Sequence, residues 1–314
     1  MNKDSIKVAL AQIAPIWLNK SATIEKVTSY ISDAASKGAD LIAFGEALLP
    51  GYPFWLDRMN GAAFNSTVQK EIHAHYMHQS ISVEDGELGS ICKLAKSKSI
   101  AIYLGTIERP ADRGGHSLYC SMVYIDREGE VKSVHRKLMP TYEERLSWSP
   151  GDGHGLVTHS LPPFTVGGLN CWENWMPMAR AAMYAQGEDL HVSIWPGNKR
   201  NTERLIPMIA EESRSYVIGV SGLFRPEDIP DDFPHSEIMR ANTKEALANG
   251  GSCLAAPDGS WVVEPFVDEE KLVVAEIEHR FVREERQNFD PSGHYSRPDI
   301  LKLHINRERQ SVID

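Results

Sequence analysis

Short apolar segments alternate with amphipathic segments along most of this sequence, and this alternation constrains the fold more than any other feature. Strand-like apolar runs occupy residues 6–11, 41–45, 100–107, 164–170, 191–195, 216–224 and 272–277. Apolar residues recur at helical spacing in 21–37, 88–98, 178–186, 201–215 and 279–286. Two hairpins add to the pattern, one from 117–125 with 131–138 and one from 251–256 with 260–263. Alternation with added hairpins predicts an α/β fold of mixed sheets covered by helices.

The chain of 314 residues is long enough to bury a large core, and we expect residues 1–314 to form a single domain. No Gly/Ser run, Pro-rich spacer or charge block divides two patterns, and no repeat is visible. The only break in composition is the acidic, Pro-containing stretch 225–250, which we interpret as a surface excursion. Residues 290–314 are interpreted as a short C-terminal tail.

Charge and hydropathy argue against several classes of partner. The formal net charge of −10 is wrong for nucleic acid, which requires a basic face. No apolar run approaches the ~20 residues of a membrane-spanning helix, and no signal peptide precedes the first predicted strand. The four cysteines, at 92, 120, 171 and 253, are far apart, which is typical of reduced proteins. We therefore expect a cytoplasmic protein.

The 12 histidines do not predict a metal site. His73, His75 and His78 lie close together, but no pair among them has the i, i+4 spacing of a helical zinc pair. Histidines that pack or face solvent are the more common case, so no metal ligand is predicted.

Cys171 lies between a predicted strand and a predicted helix. The partial positive charge of a helix start lowers the pKa of a nearby thiol and favours the reactive thiolate, so this position suits a nucleophile. A lone cysteine is more often buried and inert, and Cys171 by itself does not decide between these interpretations.

Two charged residues occupy similar positions. Glu46 ends an apolar strand and is the only charge between Leu41 and Phe54, which predicts a partly apolar environment, a raised pKa and a role as general base. Lys137 stands near the end of the second strand of the first hairpin, beside His135 and Arg136. A row of basic residues is usually solvated, and its pattern alone does not separate a surface cluster from a site.

Taken together, Glu46, Lys137 and Cys171, each at a strand end and in this order, resemble the nitrilase superfamily of carbon–nitrogen hydrolases, and its nitrilase branch most closely. The resemblance covers nearly the whole chain. The matching strings include Pro50-Gly51-Tyr52-Pro53 after Glu46, His135-Arg136-Lys137-Leu138, Asn170-Cys171-Trp172-Glu173-Asn174 and Asp290-Pro291-Ser292-Gly293-His294. It implies an α-β-β-α sandwich, with two mixed sheets flanked by helices, and a homodimer or higher homo-oligomer that packs through the helices near the nucleophile.

The resemblance also implies the chemistry. Cys171 would attack an organic nitrile to give a thioimidate and then a thioester, which water converts to the carboxylic acid and ammonia. Lys137 would stabilise charge on the nitrile nitrogen, Glu46 would activate water, and Glu144 would hold Lys137 charged and oriented. Nitrile and water are the expected small-molecule partners, and no metal or organic cofactor is expected.

Aromatic residues surround these positions in the sequence. Tyr52, Tyr142, Trp172 and Trp195 are predicted to bind substrate, with Tyr142 and Trp172 as pocket walls that suit an aryl or arylaliphatic nitrile. Trp55 and Trp175 are predicted to fill the core.

Three alternatives stay open. An aliphatic amidase or carbamoylase would use the same Cys, Lys and Glu residues, and a cyanide- or nitrile-hydrating enzyme would stop at the amide. A non-catalytic scaffold would be expected to lack at least one of the four catalytic residues, and all four are present.

Overall fold

The structure of the protein is a computed structural model that describes residues 4–312. Its strands are β1 (Ser5–Gln12), β2 (Leu41–Phe44), β3 (Ala101–Glu108), β4 (Tyr119–Ile125), β5 (Val131–Arg136), β6 (His159–Leu161), β7 (Phe164–Asn170), β8 (Leu190–Trp195), β9 (Tyr216–Ser221), β10 (Leu223–Phe224), β11 (Ala248–Ala255), β12 (Trp261–Val267) and β13 (Lys271–Glu278). Its α-helices are α1 (Lys20–Ser36), α2 (Trp55–Arg58), α3 (Thr67–Gln79), α4 (Gly89–Lys98), α5 (Pro177–Tyr184), α6 (Lys199–Ser213), α7 (Ser236–Asn242) and α8 (His279–Arg286).

The strands form two mixed sheets. The first has six strands in the order β13-β1-β2-β3-β4-β5, and the second has seven, in the order β10-β11-β9-β8-β7-β6 with β12 paired to β11. Strands β1, β2 and β3 run parallel, as do β7, β8 and β9. Parallel strands bring their carboxyl ends to one edge of a sheet, which is where ligand sites form in α/β folds.

The main core lies between the sheets. Leu10 of β1, Tyr103 of β3 and Val192 of β8 are buried in one apolar cluster with residues of both sheets. Apolar residues of α1 and α4, including Ile31 and Ile91, pack with the first sheet on its other side. The apolar face of α6 packs against the second sheet. The layers are therefore α-β-β-α, which confirms the predicted fold class.

The first strand of the chain is paired along its whole length with the last one. Strand β1 pairs antiparallel with β13 in a continuous register from Ser5 opposite Glu278 to Gln12 opposite Lys271. Residues from the two ends of the sequence therefore complete one edge of the first sheet together.

The structure differs from the sequence-based expectations in several places. The predicted strand 216–224 is divided at Gly222 into β9 and β10, because the backbone of Gly222 approaches Pro196. Helix α3 was not predicted, because only Ile72 and Tyr76 of its residues are buried and the apolar pattern is short. Strand β6, which is separated from β7 by a turn at Pro162 and Pro163, was not predicted either.

Residues 305–310 lie against the loop that follows β5. Arg309 pairs with Asp152 at 3.0 Å, and the Gln310 backbone N–H donates to the same carboxylate at 3.0 Å. The neighbouring Gly151 N–H donates to the carbonyl of Lys137 at 2.8 Å. The end of the described chain thus supports the loop that bonds to the backbone of Lys137.

The division into one domain with an excursion at 225–250 and a tail at 290–314 stays a prediction. Phe233 and Met239 of the stretch 225–250 are buried. Residues 1–3 and 313–314 of the predicted domain lie outside the described residues. Within 4–312, no helix has the length and apolar character needed to cross a membrane.

Candidate active site

Cys171 is the first residue of a 3₁₀ helix, Cys171–Trp175, that begins directly where β7 ends. Its backbone is left-handed, with φ of 44°, and its side chain is buried. A non-glycine residue in this region is uncommon, and such conformations persist where the surrounding structure holds them. The side chain of Glu173 accepts from the Asn170 N–H at 2.8 Å and so caps the start of this short helix.

Glu46 lies two residues beyond β2, in a turn that is held by the other sheet. Its backbone N–H donates to the carbonyl of Trp195 at 3.1 Å, and the next residue, Ala47, has φ of 52°. The turn passes so close to Gly105 of β3 that a Cβ there would stand 2.1 Å from the carbonyl oxygen of Gly45. Glycine is therefore required at position 105 for the Glu46 turn to reach this place.

Lys137 follows β5 directly and continues its pairing with β4, because its N–H donates to the carbonyl of Cys120 at 2.7 Å. Its ammonium Nζ lies 2.9 Å from Glu46 Oε1 and 2.7 Å from Glu144 Oε2. All three side chains are buried. Lys137 is therefore no surface cation but the centre of a buried ion cluster.

Glu144 is held in place from three directions. It lies in the 3₁₀ helix Tyr142–Leu146, and its Oε2 also accepts from the Thr141 backbone N–H at 2.6 Å. Its other oxygen accepts from the Tyr52 hydroxyl at 2.7 Å. These donors leave the Glu144 carboxylate fixed beside Lys137.

The nucleophile candidate stands next to this cluster. The Cys171 Sγ and one carboxylate oxygen each of Glu46 and Glu144 all lie within 4.8 Å of one another. A thiol and two carboxylates are metal-ligand types, but here the ammonium of Lys137 is bonded to both carboxylates. The structure thus brings together the four residues predicted to be catalytic.

Burial and charge set the protonation of the site. Burial, opposed by Lys137 and assisted by Glu144, raises the pKa of Glu46 to about 7, as its sequence environment predicted. Burial works against the charge of Lys137, but the surrounding thiol and carboxylates raise its pKa well above the usual value. Burial and Glu46 also raise the pKa of the Cys171 thiol well above its usual value. The prediction that a helix start favours the Cys171 thiolate is therefore wrong for the resting site, and a base must remove the proton.

The predicted substrate-binding aromatics have different environments. Tyr52 bonds to Glu144, and Trp195 is buried in the same apolar cluster as Cys171, with no hydrogen-bond partner for its indole N–H among the described residues. Trp172 is half exposed, and Tyr142 is 82% exposed. The binding roles of these four residues stay predictions. Of the two predicted core residues, Trp55 is buried, whereas Trp175 is half exposed and the prediction for it is wrong, because its short helix faces it outward.

Two residues of the site were missed in the sequence. The Cys120 thiol lies 3.5 Å from Glu46 Oε1, and the predicted hairpin already contained the signal, since its register sets Cys120 opposite Lys137. The carboxylate of Glu173 accepts from the Leu138 N–H at 2.6 Å and contacts His135 Nε2 at 3.0 Å. The spacing of Asn170 and Glu173 is that of a capping box, which could have identified this residue.

A cleft of about 290 Å³ leads to the Tyr52 side of the site. Its walls mix apolar side chains with polar and charged ones: Tyr52, Phe54, Asp57, Arg58, Glu143, Pro196, Asn198, Asn201, Glu245 and Leu247. Asn201 also lines a second groove, which contains Trp172 and Trp175. Tyr52, which lines the cleft and bonds to Glu144, is thus the residue that joins this cleft to the buried cluster.

The comparisons with known proteins agree with this geometry. The model of the carbon–nitrogen hydrolase family matches residues 7–287. A protein named nitrilase 2, from an unknown prokaryotic organism, is 33% identical over 312 residues, which cover 98% of this chain and 95% of that protein. A nitrilase of Pseudomonas syringae pv. syringae (strain B728a) is 34% identical over 97% of this chain and 90% of its own length.

A solved structure gives the same fold. The carbon–nitrogen hydrolase from Helicobacter pylori G27 superposes with a TM-score of 0.66 at 18% identity, covering 94% of this chain and 96% of that one. The family model spans most of the sequence, and relatives named nitrilases match it over nearly its full length. This protein therefore belongs to the carbon–nitrogen hydrolase family, within its nitrilase branch.

Proposed function

We propose that this protein is a nitrilase that converts an organic nitrile to the carboxylic acid and ammonia. The observation that carries the proposal is the position of the Lys137 ammonium, bonded to both Glu46 and Glu144 beside the Cys171 thiol. A nitrile carbon is a weak electrophile, and its attack requires a fixed positive charge where negative charge develops on nitrogen. Lys137 supplies that charge.

In the first step the Cys171 sulfur forms a bond to the nitrile carbon. The thiol is protonated at rest, so Glu46 takes its proton as the bond forms. The electron pair released from the carbon–nitrogen triple bond moves to nitrogen beside Lys137, and the proton held by Glu46 passes to that nitrogen. The product is a neutral thioimidate. Glu46 Oε2 has no hydrogen-bond partner among the described residues and is the oxygen free to carry the proton.

Two water molecules complete the reaction. The first attacks the thioimidate carbon and gives one proton through Glu46 to the nitrogen, which yields a tetrahedral intermediate with OH and NH₂ groups. The hydroxyl proton then passes through Glu46 to the nitrogen as the carbon–nitrogen bond breaks, and ammonia leaves. A thioester remains on Cys171. The second water, activated in the same way, releases the carboxylic acid and returns the proton to the thiol. A pKa of about 7 suits Glu46 to both proton transfers near neutral pH.

The branch point of the reaction defines the alternatives. The tetrahedral intermediate after the first water carries both nitrogen and sulfur. Loss of nitrogen gives the acid, whereas loss of sulfur gives the amide, as in a hydrating enzyme. An amidase would enter the same sequence with an amide and form the thioester directly.

A panel of aliphatic, aryl and arylaliphatic nitriles with their matching amides tests the proposal. A nitrilase releases ammonia and acid in equal amounts from at least one nitrile. Amide without ammonia would assign the hydrating alternative, and ammonia from amides alone would assign the amidase. We place Tyr52, Tyr142, Trp172 and Trp195 at the substrate and favour the aryl and arylaliphatic members of the panel.

We further infer that the protein works as a homodimer or a multiple of it. Exposed apolar side chains follow Cys171 in the nucleophile turn and the start of α5, and we call this group the apolar patch: Trp172, Trp175, Met176 and Met178. Exposed apolar side chains grouped in this way are typical of an association surface, and a second copy is the occupant that the family resemblance implies. The four free cysteines support a reducing, cytoplasmic location.

A further inference from the structure

We propose that Glu188 and His191 are positioning residues that act through Asn174 to hold the Cys171 backbone in its left-handed conformation. The inference rests on the proposed role of Cys171 as nucleophile. Asn174, His191 and Glu188 are fully buried, and they form a continuous chain of side-chain hydrogen bonds that ends at the Cys171 carbonyl.

The orientation of the Asn174 amide follows from its partners. One end of the amide lies 2.8 Å from the Cys171 carbonyl oxygen and 3.2 Å from the Leu169 carbonyl oxygen. Two acceptors require the NH₂ group at this end, so the amide oxygen faces His191. Asn174 therefore bonds the residues on both sides of the junction between β7 and the nucleophile turn.

The histidine ring is fixed by the same reasoning. His191 Nε2 lies 2.8 Å from Asn174 Oδ1, and an amide oxygen is only an acceptor, so Nε2 carries a hydrogen. Its Nδ1 lies 2.9 and 3.0 Å from the two oxygens of Glu188, which fixes the plane of the ring. Glu188 thus fixes the orientation of the His191 ring, and His191 fixes the orientation of the Asn174 amide.

The fold makes room for this chain at Gly167. Strand β8 pairs with β7 so that His191 lies opposite Gly167, and a Cβ at Gly167 would stand 2.4 Å from Glu188 Oε1. The carbonyl of Asn174 is held in turn by Arg180 at 2.8 Å. The backbone carbonyl of Asn174 is therefore held by Arg180, and its side chain is linked through His191 to Glu188.

The consequence for catalysis concerns a single carbonyl. A left-handed φ at a non-glycine residue has a conformational cost, so the turn needs partners that exist only in this conformation. The bond from Asn174 to the Cys171 carbonyl is such a partner. Losing it would let the backbone relax and move the Sγ away from the Glu46–Lys137 pair.

The rate at which iodoacetamide alkylates Cys171, followed by peptide mass spectrometry, tests the inference without a nitrile. Asn174→Asp keeps the shape but replaces the NH₂ donor with a carboxylate oxygen, and His191→Leu removes the Nε2–H. We expect each to slow alkylation by on the order of tenfold and to lower kcat by a similar factor with little change in KM. His191→Gln places an N–H₂ near the position of Nε2 and should recover part of both rates.

His279→Gln is the matched control. His279 pairs at 2.7 Å with Asp189, the residue after Glu188 in the sequence, but takes no part in the hydrogen bonds that run from Glu188 to Cys171. It should leave alkylation unchanged. A folded His191→Leu protein that alkylates at the wild-type rate would overturn the inference, as would Asn174→Asp at that rate. If His191→Leu does not fold, Asn174→Asp against wild type decides. Failure of nitrile hydrolysis with this alkylation pattern intact would count against the proposed function alone.

Discussion

The carboxylate of Glu173 accepts the backbone N–H of Leu138 at 2.6 Å, and this bond joins two parts of the site that lie far apart in the sequence. Leu138 directly follows Lys137, and Glu173 lies two residues after Cys171. The same carboxylate accepts from the Asn170 N–H at 2.8 Å. One buried side chain therefore sets the spacing between the cation and the thiol.

Replacing this carboxylate should lower both stability and activity. Glu173→Gln presents an NH₂ group to backbone donors, and we expect a loss of about 3 kcal/mol in the free energy of unfolding, the scale of a broken buried pair. Urea denaturation measures it, with the exposed Glu203→Gln as control. Burial opposes ionisation of Glu173, but His135 and the backbone donors lower its pKa below 4.5, so its contribution is present above that pH and is lost on acidification. A wild-type advantage that did not shrink below pH 4.5 would contradict this account.

Cys171 should be the only cysteine that forms a covalent adduct with a nitrile. Intact mass followed by peptide mapping locates the adduct, and Cys171→Ala should abolish both the adduct and ammonia release. Cys92→Ala is the control, because that partly exposed cysteine lies on α4, away from the site. An adduct on Cys120, with activity retained in Cys171→Ala, would contradict this prediction and assign the nucleophile to Cys120.

Lys137→Gln should lose on the order of 2.7–4 kcal/mol of transition-state stabilisation, the effect of removing one charge-stabilising donor. The measurement is kcat/KM. Because the variant leaves the buried carboxylates of Glu46 and Glu144 without their cation, circular dichroism is needed to establish that it still folds. Lys132→Gln is the matched control, since Lys132 lies on β5, the strand that Lys137 follows, but is exposed. Retention of more than about a tenth of the wild-type value would place Lys137 outside the reaction.

The acid limb of the pH profile should report Glu46. Its pKa is raised to about 7, and the base must be ionised to take a proton, so kcat/KM of the free enzyme should rise with pH and level off above about 7. Glu46→Gln should remove activity at all pH values, whereas the exposed Glu128→Gln should leave the limb in place. A flat profile from pH 5 to 8 at about constant kcat/KM would exclude Glu46 as the base.

Met178→Asp should dissociate the proposed dimer without unfolding the chain. Met178 is 62% exposed on the apolar patch, so a carboxylate there is solvated in the monomer and buried in the dimer. Ala182 on the same helix is buried and would not serve as a probe. Light scattering and activity are measured together, with Phe64→Asp, a fully exposed loop residue, as control. A folded, fully active monomer would rule out any dependence of the site on association.

Much of the fold follows from periodicity because its strands are short, apolar and separated by helices with a clear apolar face. Strand 164–170 and helix 279–286 have the predicted bounds. Helix α3 has only two buried residues in 13, so its amphipathic signal is too weak to read. Glu46, Lys137 and Cys171 could be named because each stands at a strand end and their order resembles the nitrilase branch, whereas Glu144 was named from the resemblance alone. Their mutual distances depend on how two sheets stack, which no local pattern contains, whereas the hairpin register of Cys120 and the capping-box spacing of Glu173 are local signals.

The protonation of the Cys171 thiol is another property that the sequence did not predict correctly. A helix start near Cys171 favours the thiolate, but a 3₁₀ helix of five residues acts weakly against full burial beside a carboxylate. The sequence shows that a helix starts near Cys171, but it does not show that the thiol is buried beside a carboxylate. The outward orientation of Trp175 could not be predicted for a similar reason, because it depends on how one short helix packs against the rest of the protein.

The pairing of β1 with β13 affects when the protein can fold as it is made. While the ribosome extends the chain, the edge of β1 has no partner until residue 278 has emerged. At roughly 5–20 residues per second, that leaves an open strand edge for tens of seconds. Such edges pair with other chains. Expression at high concentration should therefore yield aggregates that form before synthesis ends, and slower initiation or a chaperone that covers strand edges should increase the yield of folded protein.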